Sequence, residues 1–332
     1  MQRLSPPTAT LRTKTYKLVF VDATGEAAAL RERIVALIAA GDPELRRADD
    51  AATILTVEVA QFLTPRTAAI EGTYRVSDLA ERTIAEGSIR AGNAGALRRL
   101  AAPSLVEDAA RDVAGVLVPL QYESATAVPR GALDRITAAA ERGDWAAYRE
   151  GIAQLTVLPG EADAARLYAL AVAHEGAAYQ SADLATLVSH LRQAVEHNVA
   201  AARLKPDERL FSEQVMRSVK TPATPPKRWV TPRSMERWES RLRMRAWLAE
   251  APAEEGVLNM RGFLALLEDG RTDAEILDEL EQASTVRFSL VQEDMTALAS
   301  AGVPWRLIRA MRTRAGLPPP PLHIPADDWP VQ

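Results

Sequence analysis

The stretch YKLVFVDATGEAAALRERIVALIAAG, Tyr16–Gly41, changes hydrophobic period midway. Tyr16–Asp22 is a compact apolar run rich in β-formers and predicts a buried strand. Beyond it Ala29, Leu30, Ile34, Leu37 and Ile38 fall at helical spacing, with Thr24 placed to cap the helix and Gly41 placed to end it. Three more strands are expected. TILTVEVAQFL (Thr53–Leu63) alternates Ile54, Thr56 and Glu58 against Leu55, Val57 and Val59. TAAIEGTYRVSD (Thr67–Asp78) sets Ile70 and Val76 among polar neighbours, and RTIAEGSIRAG (Arg82–Gly92) carries Ile84 and Ile89. Turn signals at Pro65-Arg66 and Asp78–Glu81 join them into an antiparallel meander. SLVEDAARDVAGVLVPL, from Ser104, reads as a second helix, with Ser104 and Glu107 spaced as a capping box and Val106, Ala109, Ala110, Val113 and Leu117 on its apolar face. Strand, helix, three strands, helix is the order of a small sheet with two helices packed on it, so the fold class is α+β, with this domain over residues 16–120.

The rest of the chain is arranged around that domain. Residues 1–15 are polar, hold Pro6 and Pro7, and read as an extended arm. Gln121–Gly131 reads as a linker. Residues 131–219 carry only helical patterns: a pair split at Gly143-Asp144, one helix over Glu161–Gln180, its partner over Ser181–Leu204, and a fifth from Pro206. A Pro-rich joint, KTPATPPKRWVTP (Lys220–Pro232), leads into a charged helix over Arg233–Glu250, together residues 220–256. Val257–Gly316 reads as a small all-helical module with capping boxes at Thr272/Glu275 and Ser289/Gln292. The Pro-rich tail, residues 317–332, is expected to be extended.

Composition bounds the function. The 332 residues are 47% hydrophobic and 25% charged, an ordinary globular balance with enough chain for two or three domains. Aromatics are only 5%, so Ala, Leu and Val must do most of the packing, which favours closely approaching helices. A net charge of −4 gives no global reason to expect nucleic acid. The chain has no cysteine, which excludes disulfides, thiolate metal sites and cysteine nucleophiles. The N-terminal segment lacks the apolar core of a signal peptide, and no run of about eighteen apolar residues is present to span a bilayer. The expected location is the periplasm or envelope if a signal has been removed, and the cytoplasm otherwise.

Three resemblances add to this reading. ARLYALAVAHEGAAYQSADLATLVSHLRQAVEHNVAAARLKPDER (Ala165–Arg209) resembles a tetratricopeptide-type repeat. Tyr168 lies in a first helix of small residues, and Pro206 stands where such repeats turn into the next. The strands YKLVFVD, ILTVEVAQFL, AAIEGTYRVSD and AERTIAEGSIRAG, with the helix LVEDAARDVAGVLV, resemble the α/β domains of CsgG-like and related bacterial envelope lipoproteins. FLALLEDGRTDAEILDEL and RFSLVQEDMTALASAGVPWRLIRAM resemble a small helical module at the ends of bacterial envelope proteins. These resemblances imply binding or assembly, and none supplies a catalytic residue.

No constellation for chemistry emerges from spacing. His190 and His197 are seven apart on one helix, about 10 Å along its axis, too far for one metal ion. His174-Glu175 opens like a zinc-protease helix, but no second histidine follows at the required position. Asp22 ends a first strand, where phosphoryl-transfer enzymes keep an aspartate, yet it lacks an acidic partner and reads as a helix cap. No catalytic residue, metal ligand or cofactor is therefore assigned.

Arg233, Arg237, Arg241 and Arg245 recur every four residues, interleaved with Trp229, Trp238 and Trp247. One reading is a solvated helix whose arginines pair with Glu236, Glu239, Glu250 and other parts of the chain. The other is a docking surface, since Arg and Trp are favoured interface anchors. Trp329 in the tail could likewise plug a partner's pocket. The expectation is a non-enzymatic scaffold or accessory subunit, contacting other protein subunits in a larger membrane-associated bacterial assembly. A membrane surface is a second candidate partner, and nucleic acid is not expected. Two alternatives stand beside it: a hydrolase with an unrecognised carboxylate pair, and a peptide or small-ligand binder using the groove around Tyr168, Tyr179 and His190.

Overall fold

A computed structural model describes residues 1–63, 69–92, 98–123, 133–157, 159–208 and 232–318, with the backbone alone at 98–102, 134, 135, 232 and 233. The expected fifth helix beyond residue 208, the Pro-rich joint and all but the first two tail residues lie outside them. The chain is α+β and forms two compact units, each built from separated segments: Pro6–Leu120 with Arg243–Gln332, and Met1–Ser5 with Gln121–Leu242.

The first unit carries the sheet. Its strands are β2 (Thr15–Asp22), β3 (Arg46–Arg47), β4 (Ile54–Phe62), β5 (Ala69–Ser77) and β6 (Thr83–Gly92), in the order β3-β2-β4-β5-β6. β2 runs parallel to β3 and β4, with α1 (Ala28–Gly41) in the crossover between β2 and β4, while β4, β5 and β6 form the expected antiparallel meander. Alternation decides the faces. Leu55, Val57, Val59, Ile70, Val76 and Ile89 are buried, and they share a core with Leu30, Ile34 and Ile38 of α1 and Ala109, Ala110, Val113 and Leu117 of α2 (Arg98–Leu117). Glu58, Thr73, Arg75, Glu86, Ser88 and Arg90 are exposed on the opposite face. α2 begins before Ser104, so the expected capping box there does not form; Glu107 instead accepts from Arg111 (2.8 Å) and from Arg33 of α1.

The C-terminal module belongs to this same unit rather than standing as a separate bead. It holds α8 (Met260–Glu268), α9 (Asp273–Gln282), α10 (Gln292–Ser300) and α11 (Trp305–Arg314) around Phe263, Leu264, Leu267, Ile276, Leu298, Leu307 and Ile308. It is not wholly helical, because β8 (Val257–Asn259) and β9 (Thr285–Arg287) pair in parallel. The Thr272/Glu275 capping box is present, with Thr272 N donating to Glu275 at 2.7 Å and Glu275 N to Thr272 Oγ1 at 3.3 Å. At α10 the capping carboxylate is Asp294, not Gln292: Ser289 Oγ and the Val291 amide both donate to its Oδ2, at 2.7 and 3.0 Å.

A chain of charges fastens the module to the sheet. Asp78, at the β5–β6 turn, is 2% exposed. Its Oδ2 accepts from Arg12 (2.7 Å) and Arg82 Nε (2.6 Å), and its Oδ1 from the amides of Ala80 and Arg82. Arg82 reaches on to Asp273 at the start of α9 (2.9 Å), which also accepts from Arg306 of α11 (2.6 Å). Gly302 has φ +72°, a conformation favouring glycine, and lies so close to Ile84 and the Thr83 carbonyl that a Cβ there would come within about 3.1 Å of them.

The second unit is mostly helical: α3 (Asp134–Glu141), α4 (Trp145–Ala153), α5 (Ala164–Gln180), α6 (Leu184–Leu204) and the first part of α7 (Pro232–Leu248). Gly143 (φ +74°) makes the expected α3–α4 break, and Asp144 caps α4 through the Ala147 amide at 3.0 Å. Asp183 caps α6, so α5 and α6 close into a hairpin across a short turn. Trp145 lies on the backbone of α5 at Gly176, where a Cβ would come within 2.1 Å of the indole. Small residues thus let the few aromatics pack against helix backbone.

Residues 1–15 are not an extended arm. β1 (Gln2–Ser5) pairs with β7 (Leu120–Glu123), a segment expected to open a linker, and Ala9, Thr10 and Arg12 are buried. Arg3 is fully buried and donates from Nε to Glu175 Oε1 at 2.7 Å and from Nη2 to Oε2 at 3.3 Å. Removing one partner of such a pair strands a desolvated charge. Glu175→Ala should therefore destabilise the protein by about 3–5 kcal/mol, and Arg3→Met/Glu175→Leu should recover most of that. Denaturant unfolding of the three chains checks both.

Candidate functional site

Three of the four histidines meet in the α5–α6 hairpin. His174 of α5 is inserted between His190 and His197 of α6. Its ring centroid is 5.3 Å from that of His190 and 5.5 Å from that of His197, whose ring is stacked on it at 21°. Nδ1 of His174 is 3.1 Å from Nδ1 of His190. The seven-residue spacing that keeps His190 and His197 apart on α6 leaves a slot that α5 fills. The signal was present but indirect: a hairpin turning near Ala182 brings position 174 opposite position 190, eight residues on either side.

The electrostatics of this row favour neutral rings. Burial lowers His174 to about 4, reinforced by the charges of His197, His190 and Arg149. Burial also lowers His190, with Arg149 adding to it, and lowers His197, where Glu196 opposes and Arg166 assists. In the short His174–His190 contact one Nδ1 must carry hydrogen and the other must accept it, so the two rings hold opposite tautomers. The row can therefore bind a proton only against its surroundings. Among the described residues no group of three His, Asp or Glu side chains is arranged to hold a metal ion.

The arginine–tryptophan helix is α7, and the structure turns its tryptophans inward. Trp238 is buried with Met235, Leu187, Val188 and Leu191, while Trp247 is buried with Met244 and the core of the C-terminal module. A side chain already packed in its own core has no face left for a partner, so neither serves as the expected docking anchor. Arg245 pairs with Asp42 at 2.8 Å and Arg243 with Asp294 at 2.5 Å. Arg237 and Arg241 are half-buried and also engaged. Only the backbone of Arg233 is described, and Trp229 and Trp329 lie outside the described residues. The intramolecular reading of this helix is the one the geometry carries.

The other candidates resolve similarly. Asp22 Oδ2 accepts from the Ala27 amide at 2.7 Å and Oδ1 from Thr24 Oγ1 at 2.6 Å, which ties together the turn before α1; neither Asp22 nor Thr24 caps the helix, because its N-cap residue, Ala27, comes later and no side chain bonds the first turn. Tyr168 is fully buried in the helical core, so it lines no groove. The buried carboxylates of Asp78, Asp163, Glu175, Asp273 and Asp294 all bond arginine. Most of these partners lie far away in sequence, which left that use of charge unreadable from spacing.

Fold and site together define a two-unit α+β protein with a sheet covered on one face and a histidine-lined helical hairpin. No protein-family model, curated protein or solved structure matches the chain.

His174 titrates near 6.5 when unfolded and about 4 when folded, so the unfolded chain binds the extra proton between those values. Stability from this group is fully present above pH 6.5 and is lost as pH falls toward 4. With His174 only 6% exposed, the full loss is about 3 kcal/mol. Urea unfolding at pH 7.5 and 4.5 should show a smaller difference for His174→Leu than for the native chain. Separately, Trp238→Ala should cost about 3–5 kcal/mol of stability, as a core truncation does. Arg237→Ala should cost well under that in the same denaturation assay.

Proposed function

We propose that this protein is a non-enzymatic scaffold or accessory subunit that mediates protein–protein contacts in a larger, membrane-associated bacterial assembly. The observation that carries this reading is how the chain uses its buried charge. Asp78, Glu175, Asp273 and Asp294 each join segments far apart in sequence, through Arg12, Arg3, Arg82 and Arg243. Groups that in a hydrolase would face substrate are here fastening elements within each unit. The likeness of Ala165–Arg209 to tetratricopeptide-type hairpins supports contact with other chains. The likeness of residues 16–120 to envelope lipoprotein domains supports placement in an envelope assembly.

The full chain, purified under native conditions from its own cells with the membrane fraction retained, tests this. Recovery with other subunits in fixed stoichiometry, through size exclusion and after salt washing, is expected. Recovery as a solitary chain that turns over ester, glycoside or phosphoester substrates would overturn it.

A further inference from the structure

The sheet ends on β6, and this edge is unusual in carrying its own complement. Among the described elements β5 pairs with one side of β6 and no strand pairs with the other. Ten residues long, β6 is at the upper end of the usual strand length, and an unpaired strand of this length is a template for another chain. Glu86, Ser88 and Arg90 stand exposed on its open face, and Ala85, Gly87, Ile89 and Ala91 point to the helix-covered face.

We propose that two copies of this protein pair edge to edge through β6, antiparallel, about a two-fold axis through Ser88. A two-fold axis perpendicular to the sheet keeps open face with open face and places residue 88+k opposite residue 88−k of the partner. In this register Glu86 of each copy faces Arg90 of the other, twice, and Ser88 faces Ser88. On the covered face Gly87 faces Ile89, and Ala85 faces Ala91. Gly87 has no side chain because Tyr74 of its own sheet occupies that space: a Cβ there would come within 2.4 Å of the Tyr74 hydroxyl.

Charge selects this register over its neighbours. Within one chain Arg75 is opposite Glu86, with a 3.7 Å ion pair, and Glu71 is opposite Arg90. Pairing about Ser88 continues the alternation across the junction, in the order Arg75, Glu86, then Arg90 and Glu71 of the second copy. A two-fold axis at Glu86 or at Arg90 would set like charges face to face, which is destabilising. An axis at Gly87 or Ile89 leaves both charges opposite uncharged residues. The proposal stands apart from the scaffold reading, since it concerns the purified chain alone.

Sedimentation equilibrium of the full-length protein over a range of concentrations tests it. The native chain is expected to show a monomer–dimer equilibrium, weak because one strand pair buries less than the roughly 800 Å² per partner of a standard interface. Glu86→Arg and Arg90→Glu alone should each lose at least tenfold in dimer affinity. An equimolar mixture of those two variants should dimerise again, because each supplies the charge the other lacks, and the double variant should dimerise with itself. Both positions are exposed, so circular dichroism should show unchanged folding. A native chain that stays monomeric throughout would overturn the proposal. So would single variants that dimerise like the native chain, or a mixture that does not recover.

Discussion

The Asp78 carboxylate is the constraint on which the sheet-bearing unit depends. Burial alone would raise its pKa, but the hydrogen bond and charge of Arg12, with the bonds from Arg82, hold it below the usual carboxylate range. The ionised form is thus the one the fold requires. Through it, a residue before the first long strand, the β5–β6 turn and the C-terminal helices share one network. The cost of desolvating so many ions is offset only because nearly every oxygen and guanidinium is matched. One guanidinium nitrogen, Arg12 Nη1, has no hydrogen-bond partner among the described residues, and burial lowers the Arg12 pKa. The network is therefore strong but not fully satisfied.

Local periodicity made much of this architecture legible. β2, α1, β4, β5, β6 and the α3–α4 and α5–α6 pairs lie where alternation, helical spacing and Gly or Asp punctuation put them. The misses share a cause. Residues 2–5 look polar, and the partner that makes them a strand is β7, more than a hundred positions away. Arg3 looks solvent-seeking until Glu175 is beside it. Trp238 and Trp247 read as docking anchors because they alternate with arginine, whereas a helix with acidic partners along its flank can bury tryptophan and pair arginine together.

The histidine row shows the same limit at the scale of a site. Along α6 the spacing of His190 and His197 argues against shared chemistry, and on a lone helix that argument holds. Packing changes the relevant neighbours, since His174 bridges them from α5, the other helix of the hairpin. What this creates is a polar seam inside an Ala-rich helical pair. Opposite tautomers across a 3.1 Å contact fix the registry of α5 against α6 more narrowly than alanine packing alone would.

The pairing of β1 with β7, and of Arg3 with Glu175, has a consequence for how the molecule is made. Synthesis proceeds toward the C-terminus, so residues 2–5 leave the ribosome long before their β-partner and their counter-ion exist. A positively charged side chain destined for a dry interior must wait in water until α5 has been translated. Such far-separated closures are slow to form. Gln2–Ser5 are thus among the last of the described segments able to reach their final seat.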